Sequence, residues 1–523
     1  MAKKEKKDAV LEESVNATKT AKKNKKTKKV KTREEKLRKK KTRLIVWTSI
    51  ISALLVVFVT LGATTKIGSD GLLKKVQAIT PIDWNEGERI MPLDKDGNPV
   101  VEGKTLPAVD ENGCFTFKDV DNKLATRNFR VLQLTDIHIG AGAFSIKNDA
   151  WTIQTVEDLV KKARPDLVVV TGDIAYPVFF QSATLNNKKE AKVFATMMEN
   201  LGVYWTFEFG NHDTELYSSY TREDIGEFYS NTEMFPHCLF NNEKKKYIDE
   251  NNQEQEVFGQ GNFAITVVAN DDTLVHTLYM VDSNAYMDDD PLGAKWHYDR
   301  IHDDQIAWYE QTAQKIATKY GDVTNAKSTM YFHIPIKEFN EVFFEYNKTQ
   351  NRDKESMKGL NPTDVNPKIG ELKEIALDEN LSAEEKANKI TKFKLCNGIV
   401  GEWGKGALGT EEPSRIYDAL VSNGTTGVFC GHDHMNNSSF WVQKGNNPND
   451  KIGLKLTYGM SVDYLAYPGI YKKTAQRGGR MIEINKVGQI LNNENIVDEE
   501  IGFDQQFGFT TYNVPYWNDL AKA

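Results

Sequence analysis

The chain has 523 residues and a net charge of −7, and 40% of its residues are hydrophobic and 10% aromatic. This length and composition exclude a short disordered or fibrous chain and are typical of one large folded domain with flanking segments. The charge is uneven: residues 1–43 carry 19 Lys or Arg against 6 Asp or Glu, whereas residues 44–523 carry 48 against 68. The pattern predicts a basic, disordered N-terminal tail followed by an acidic folded part.

Residues 44–65 contain no charged side chain and follow directly after the Lys-rich tail. An uncharged stretch of about 20 residues is long enough to cross a bilayer, and basic residues on its N-terminal side favour a cytoplasmic tail. We therefore expect an uncleaved transmembrane signal anchor over 44–65, with residues 1–43 in the cytoplasm and the catalytic part outside it. A cleaved signal peptide is the alternative. The tail is expected to contact anionic lipid, whereas nucleic acid is not an expected partner.

Cysteine spacing excludes one common kind of metal site. Four cysteines, Cys114, Cys238, Cys396 and Cys430, include no C-x-x-C pair, which argues against a structural zinc site. Outside the cytoplasm disulfides are permitted, and three complete pairings remain open.

The rest of the chain divides by pattern into three further segments. Residues 66–127 are interrupted by turn signals and predict a linker with peripheral strands. From 128 to 490, β-rich runs alternate with helical stretches, which predicts a layered α/β (α+β) catalytic domain. Within it, residues 340–395 are rich in charge and predict an insertion, either a lid over the site or a surface excursion. Residues 491–523 predict a C-terminal extension that packs on the domain.

Five of the strand-like runs end in residues that commonly bind metals. The first run ends in Asp136 and His138, the second in Asp173, the third in Asn211, His212 and Asp213, another in His333, and the last in His432 and His434. In open α/β sheets, ligands bind beyond the carboxyl ends of the strands. We therefore expect these side chains to converge on one edge.

The residue types indicate two metal ions. A carboxylate such as Asp173 can bridge two cations held about 3.5–4 Å apart, and Asn211 adds a neutral oxygen that limits the negative charge. Imidazoles favour Fe, Zn or Mn over Mg or Ca. The adjacent glycines Gly172, Gly210 and Gly431 let the backbone turn sharply where each strand meets its loop.

The series D-x-H, G-D, G-N-H-D, a lone His and G-H-x-H resembles the pattern of the calcineurin-like metallophosphoesterase superfamily. The resemblance implies a two-sheet β-sandwich flanked by helices. It implies one metal on Asp136, His138, Asp173 and His434, and a second on Asp173, Asn211, His333 and His432. It also implies a catalytic His212 that does not bind metal and is oriented by Asp213. Phrases at 278–286, 303–313, 332–339, 431–436 and 477–484 look like the branch of purple acid phosphatase 29 and the fungal calcineurin-like phosphatases.

One departure concerns Tyr176, which stands where the tyrosine of true purple acid phosphatases binds iron. Those enzymes lack a histidine at the position of His138, and here both residues are present. We expect His138 to bind the metal and Tyr176 to pack behind it, so a purple iron–tyrosinate protein is not expected.

The expected activity is hydrolysis of a phosphomonoester by a hydroxide that two metal ions activate, on a phosphorylated small molecule or a phosphoprotein. A phosphodiesterase or nucleotide pyrophosphohydrolase is an alternative in the same chemistry, and a non-catalytic membrane receptor or scaffold is an alternative of another class. The other histidines, His237, His276, His297 and His302, are interpreted as structural. Glu338 and Glu402 are weaker candidates for the pocket wall.

Overall fold

The computed structural model describes residues 33–84, 88–101, 106–321, 327–339, 380, 396–397, 410, 412, 414–434, 436, 439–443, 453–466 and 477–497. The chain forms two compact units, 1–63 and 64–523. Most of the 340–395 insertion, Glu402, the side chain of Cys396, residues 1–32 and residues 498–523 lie outside the described part. The predictions for these segments stay predictions.

The prediction of a transmembrane anchor over 44–65 is wrong. This stretch lies within helix α1, Arg33–Gln77, and no helix in the described ranges is long and apolar enough to cross a membrane. The prediction weighed length and absence of charge; the stretch also contains glycine and hydroxyl side chains, at Thr48, Ser49, Ser52, Thr60, Gly62, Thr64 and Thr65. These residues gain much less free energy in hydrocarbon than Leu or Ile. The single-pass placement with an extracytoplasmic catalytic domain rested on this span and is corrected with it.

A nine-stranded sheet and a five-stranded sheet form the second unit. The large sheet has the order β1-β2-β8-β9-β10-β12-β14-β13-β11. Its strands are β1 Met91–Pro92, β2 Cys114–Lys118, β8 Phe263–Val268, β9 Leu274–Met280, β10 Lys327–Tyr331, β11 Cys396–Asn397, β12 Thr425–Cys430, β13 Ser439–Gln443 and β14 Gly453–Tyr458. Strands β9, β10, β12 and β14 run parallel, so their carboxyl ends lie on one edge.

The small sheet has the order β16-β15-β3-β4-β5. Its strands are β3 Phe129–Leu134, β4 Leu167–Thr171, β5 Trp205–Glu208, β15 Gly478–Ile484 and β16 Ile490–Val497, and a separate hairpin joins β6 Lys246–Ile248 to β7 Glu254–Glu256. Strands β3, β4 and β5 are parallel and almost wholly buried, as expected for parallel strands covered on both faces.

Helices flank both sheets. The remaining helices are α2 Lys123–Thr126, α3 Ile146–Ala163, α4 Phe179–Ser182, α5 Asn187–Leu201, α6 Arg222–Tyr229, α7 Asp303–Tyr320 and α8 Ile416–Ser422. Helix α5 packs on the small sheet through Phe194 and Trp205, whose rings lie 5.5 Å apart. Helix α7 packs on the large sheet through Tyr309, whose ring lies 4.8 Å from that of Tyr279. The predicted two-sheet layered α/β architecture is confirmed.

One hydrophobic core joins the two sheets. Side chains of both sheets belong to the same buried cluster, and the rings of Phe117 and Phe129 meet across it at 5.3 Å. Burial of such aromatic side chains is the main favourable contribution to folding. The described cysteines Cys114, Cys238 and Cys430 are buried free thiols. Cys238 packs in this core as a small apolar group, and Cys114 and Cys430 pack in a second buried cluster.

A buried histidine also links the two sheets. His276 of β9 donates from Nδ1 to the Gly488 carbonyl in the β15–β16 turn at 3.0 Å, and its Nε2 lies 3.1 Å from the Thr329 hydroxyl. Burial lowers the pKa of His276 to about 4, so the folded protein holds this imidazole neutral. The unfolded chain binds the proton from about pH 6.5 downward, and stability is therefore lost as the pH falls through the window from 6.5 to 4.

We predict that His276→Gln weakens the acid sensitivity of folding. Between pH 7.5 and pH 5 the wild-type histidine is expected to cost on the order of 2 kcal/mol of unfolding free energy, which urea unfolding at both pH values measures. His302→Gln is the control, because the Asp299 carboxylate raises the pKa of His302 despite partial burial. Its replacement is expected to change the slope in the opposite direction. Equal slopes for His276→Gln and wild type would contradict the prediction.

Candidate metal centre

Three parallel strands of the small sheet deliver the first group of polar side chains. Asp136 lies two residues after β3, Asp173 two residues after β4, and Asn211 three residues after β5. Because β3, β4 and β5 are neighbours in the sheet, their loops emerge side by side. All three side chains are buried.

Two parallel strands of the large sheet deliver the second group. His333 lies two residues after β10 and His432 two residues after β12. The sheets meet here: Gln133 Nε2 donates to the Cys430 carbonyl at 3.0 Å, and the backbone N–H of His432 donates to the Asp136 carboxylate at 3.1 Å. The edge predicted from sequence is therefore a junction of two sheets.

The backbone is strained where these strands end. Four non-glycine residues take a left-handed φ: Asp136 at 48°, His138 at 51°, Asp173 at 57° and His432 at 76°. Such conformations cost free energy and persist where surrounding contacts enforce them, commonly at functional sites. Here each one turns a donor side chain back toward the junction.

The glycines beside the site are required mainly because a larger side chain would not fit there, and only one of them makes a turn that favours glycine. Gly172 has a φ of +85°, but Gly210 and Gly431 have ordinary φ values. A Cβ on Gly210 would lie 2.0 Å from Asp173 Oδ1, and one on Gly431 would lie 1.8 Å from Thr135 Oγ1. The reason given for these glycines in the sequence analysis is therefore corrected at two of three positions.

Four donors form a first cluster: Asp136, His138, Asp173 and His434. One ligand atom from each lies within 4.8 Å of all the others. His138 Nε2 is 3.2 Å from Asp173 Oδ2, and His434 Nε2 is 3.2 Å from Asp136 Oδ1.

A second cluster shares Asp173 with the first. His333 Nε2 lies 3.2 Å from Asp173 Oδ2 and 3.2 Å from Asn211 Oδ1. His432 Nδ1 lies 3.0 Å from the same Asn211 oxygen. One oxygen, Asp173 Oδ2, is therefore equally far from the ring nitrogens of His138 and His333, which belong to different clusters.

The donor sets fit metal ions. Two ligands that bind one ion at 2.0–2.1 Å in tetrahedral geometry stand about 3.3 Å apart, which is close to the distances seen in both clusters. The tautomer of His333 also suits this role, because its Nδ1 donates to the Thr171 carbonyl at 2.7 Å and leaves Nε2 with its lone pair.

Charges inside the site are strongly coupled. Burial disfavours the imidazolium of His333, but the Asp173 and Asp136 carboxylates outweigh it and raise the pKa of His333 to about 9. Burial likewise opposes the Asp463 and Asp173 carboxylates, which raise the pKa of His138 to about 10. A cation that enters takes the place of these protons, so metal binding is expected to release them.

The ring of His212 pairs with Glu215. Its Nδ1 lies 2.7 Å from Glu215 Oε1, and its side chain is 24% exposed at the mouth of the site. Asp213, expected to orient this ring, instead accepts the backbone N–H groups of Asp173, Ala175 and Gly210 at 2.8–2.9 Å. The prediction for Asp213 is corrected: the carboxylate joins two strand-end loops, and burial with the neighbouring Asp173 charge raises its pKa.

Sequence reasoning missed three residues. Asp463 Oδ2 faces Nδ1 of both His138, at 3.6 Å, and His434, at 4.0 Å. Glu215 pairs with His212, and Tyr286 accepts a hydrogen bond from Asn211 Nδ2 at 2.8 Å. Glu215, three residues after His212, carried a local signal, and Tyr286 is the last residue of the phrase 278–286; Asp463 comes from a distant segment.

The remaining candidates have other surroundings. The ring of Tyr176 packs 4.8 Å from that of His138 and 4.9 Å from that of His212, and its hydroxyl donates to Gln181 Oε1 at 2.7 Å. His237, His297 and His302 each face a carboxylate, of Glu199, of Asp289 and Glu412, and of Asp299, respectively. Glu338 is partly buried.

Part of the chain matches a family of known proteins. Residues 129–311 match the family model of the calcineurin-like phosphoesterases, a span that contains Asp136, His138, Asp173 and Asn211. No curated protein matches the chain. The fold adds His333, His432 and His434 from beyond the matched span. The match supports placement of the chain in the metallophosphoesterase superfamily and, with the buried Asp/His cluster, indicates a metal-dependent phosphoesterase.

Proposed function

We propose that the protein is a phosphomonoesterase that works with two transition-metal ions. The observation that carries the proposal is the position of Asp173 Oδ2, 3.2 Å from Nε2 of His138 and 3.2 Å from Nε2 of His333. A carboxylate oxygen between two imidazoles of different clusters is what a bridging ligand of a two-metal site requires. Asp136, His138, Asp173 and His434 would hold one ion, and Asp173, Asn211, His333 and His432 the other.

The donors favour iron, zinc or manganese. Four of the seven proposed ligands are imidazoles, which these metals accept more readily than Mg²⁺ or Ca²⁺ do. When bound, the two cations supply Lewis-acid chemistry, which acidifies water and neutralises phosphate oxygens.

The charge of the site supports an anionic phosphate ester as the substrate. Two divalent ions bring four positive charges, and the proposed ligands include two carboxylates, those of Asp136 and Asp173. The cations would exceed these two carboxylates by two charges, before the activated hydroxide and the nearby Asp463 carboxylate are counted, so the site favours an anionic phosphate ester. Neutralisation of the transferring group is the main contribution to phosphoryl-transfer catalysis.

His212 would act on the substrate without binding metal. Its Nδ1 donates to Glu215 Oε1, and Nε2 has no hydrogen-bond partner among the described residues. Because the side chain is 24% exposed, this nitrogen can contact a phosphate oxygen or protonate the leaving oxygen. Glu215 fixes the tautomer and the orientation of the ring, which is the usual role of a carboxylate behind a catalytic histidine.

The substrate is proposed to be a phosphorylated small molecule or a phosphoprotein. The phrases that resemble the branch of purple acid phosphatase 29, such as 278–286 and 431–436, line this same site through Tyr286, His432 and His434. They support placement in that branch.

We predict that Asp463→Asn weakens metal binding by about 10- to 100-fold, because second-layer carboxylates orient metal-binding imidazoles. Calorimetric titration of the chelator-stripped protein with Mn²⁺ measures the effect, which should be largest for the ion on His138 and His434. Asp249→Asn is a matched control, since Asp249 accepts backbone N–H groups in an exposed turn. Unchanged affinity in Asp463→Asn would contradict the role of Asp463.

We predict metal-dependent hydrolysis of p-nitrophenyl phosphate by the full chain, with much slower hydrolysis of bis-p-nitrophenyl phosphate. Asp173→Asn should abolish turnover, because it removes the shared ligand. His212→Ala should lower kcat by about 10²- to 10⁴-fold and leave the metal content unchanged.

The comparison of the two esters tests the substrate class directly. Faster cleavage of the diester would favour the phosphodiesterase alternative. Absence of turnover with Mn, Zn or Fe in a protein that still binds two ions would favour the non-catalytic receptor. Full activity in Asp173→Asn would contradict the shared-ligand proposal.

A further inference from the structure

A single tyrosine links the proposed second metal position to His212. Tyr286 Oη accepts a hydrogen bond from Asn211 Nδ2 at 2.8 Å and lies 3.4 Å from Glu215 Oε1. Glu215 Oε1 in turn lies 2.7 Å from His212 Nδ1. Four residues therefore form one chain of contacts, in the order Asn211, Tyr286, Glu215 and His212.

The direction of the hydrogen bonds follows from the chemistry of the groups. An ionised carboxylate only accepts, so the hydroxyl proton of Tyr286 points at Glu215. The tyrosine oxygen then presents a lone pair to Asn211, and the Asn211 side chain turns its Nδ2 amide group toward that oxygen to donate to it. The amide oxygen of Asn211 is thereby turned toward His333 Nε2 and His432 Nδ1, at 3.2 Å and 3.0 Å.

The ring of Tyr286 is held rigidly. It stacks on the ring of Tyr298, with 5.5 Å between the ring centroids. Tyr298 in turn meets the ring of His432 edge to face, with the centroids 4.3 Å apart. Gly293 covers the hydroxyl end of the ring: it has a φ of +64°, and a Cβ there would lie 2.4 Å from Tyr286 Cζ. A rigid acceptor of this kind loses little conformational entropy when it orients the Asn211 amide that donates to it.

We propose that Tyr286 is a positioning residue that presents Asn211 Oδ1 to the second metal ion and couples that ion to the Glu215–His212 pair. This inference rests on the proposed two-metal function. Without the hydroxyl, the Asn211 amide loses the partner that fixes its rotation, and Glu215 loses its second donor. The first cluster does not contact Tyr286 through these bonds, so its affinity should be unchanged.

The test compares Tyr286→Phe with wild type by calorimetric titration of chelator-stripped protein with Mn²⁺. We expect two binding steps in wild type, and in Tyr286→Phe an unchanged first step and a second step weakened by about 10- to 100-fold. Turnover of p-nitrophenyl phosphate should fall at low Mn²⁺ and recover at high Mn²⁺. The electron paramagnetic resonance signal of the coupled Mn²⁺ pair should follow the second step.

Matched variants separate this role from general destabilisation. Tyr309→Phe removes a buried hydroxyl that bonds Thr425 at the far end of β12, and it should bind both ions as wild type does. Gly293→Ala should reproduce the defect of Tyr286→Phe by displacing the ring. Gly97→Ala introduces similar backbone strain, at a φ of +80° with no neighbour within 4 Å of the added Cβ. This control should bind both ions as wild type does.

Each outcome decides between the two claims. A wild-type protein that binds only one ion overturns the two-metal function and, with it, this inference. If wild type shows two binding steps and Tyr286→Phe shows the same two steps with unchanged affinities, only the role of Tyr286 is overturned.

Discussion

The site depends on one buried carboxylate oxygen that stands between two sheets. Asp173 Oδ2 lies 3.2 Å from imidazoles delivered by different strands, His138 after β3 and His333 after β10. A buried carboxylate is stable as an anion only when positive groups or hydrogen-bond donors surround it. Here the neighbouring imidazoles outweigh burial and hold the pKa of Asp173 well below its usual range, which is the electrostatic condition that a cation would also satisfy.

The surrounding structure keeps that oxygen in place. Asp173 Oδ1 accepts the backbone N–H of His212 at 2.8 Å, and Asp213 accepts the backbone N–H groups of Asp173 and Gly210. The left-handed φ of Asp173 and the absence of a Cβ at Gly210 allow the β4 and β5 loops to approach this closely. Backbone strain, glycine placement and hydrogen bonds therefore act on the same few atoms.

Much of the fold and the donor set followed from sequence, because parallel buried strands are recognisable as short apolar runs and their carboxyl ends share an edge. Asp136, Asp173, Asn211, His333 and His432 each lie two or three residues beyond such a run. The hydrogen-bond partners of these site residues could not be predicted from the sequence. His212 and Asp213 are adjacent in sequence, yet the loop turns the Asp213 carboxylate toward backbone N–H groups, and Glu215 takes the ring instead.

Long-range contacts explain two of the other differences. Asp463 and Tyr286 reach the site from segments whose local sequence carries no metal-ligand motif, and only the folded chain brings them there. The prediction for 44–65 weighed length and absence of charge, whereas no helix in the described ranges is long and apolar enough to cross a membrane.

The central claim is that Asp173 is shared by two metal ions. Anomalous diffraction from crystals of the Mn²⁺-loaded protein tests it most directly, because each ion gives its own peak. A shared Asp173 predicts two peaks about 3.5–4 Å apart, one beside His138 and His434 and one beside His333 and His432, with Asp173 between them. A single peak, or two peaks of which one does not contact Asp173, would contradict it.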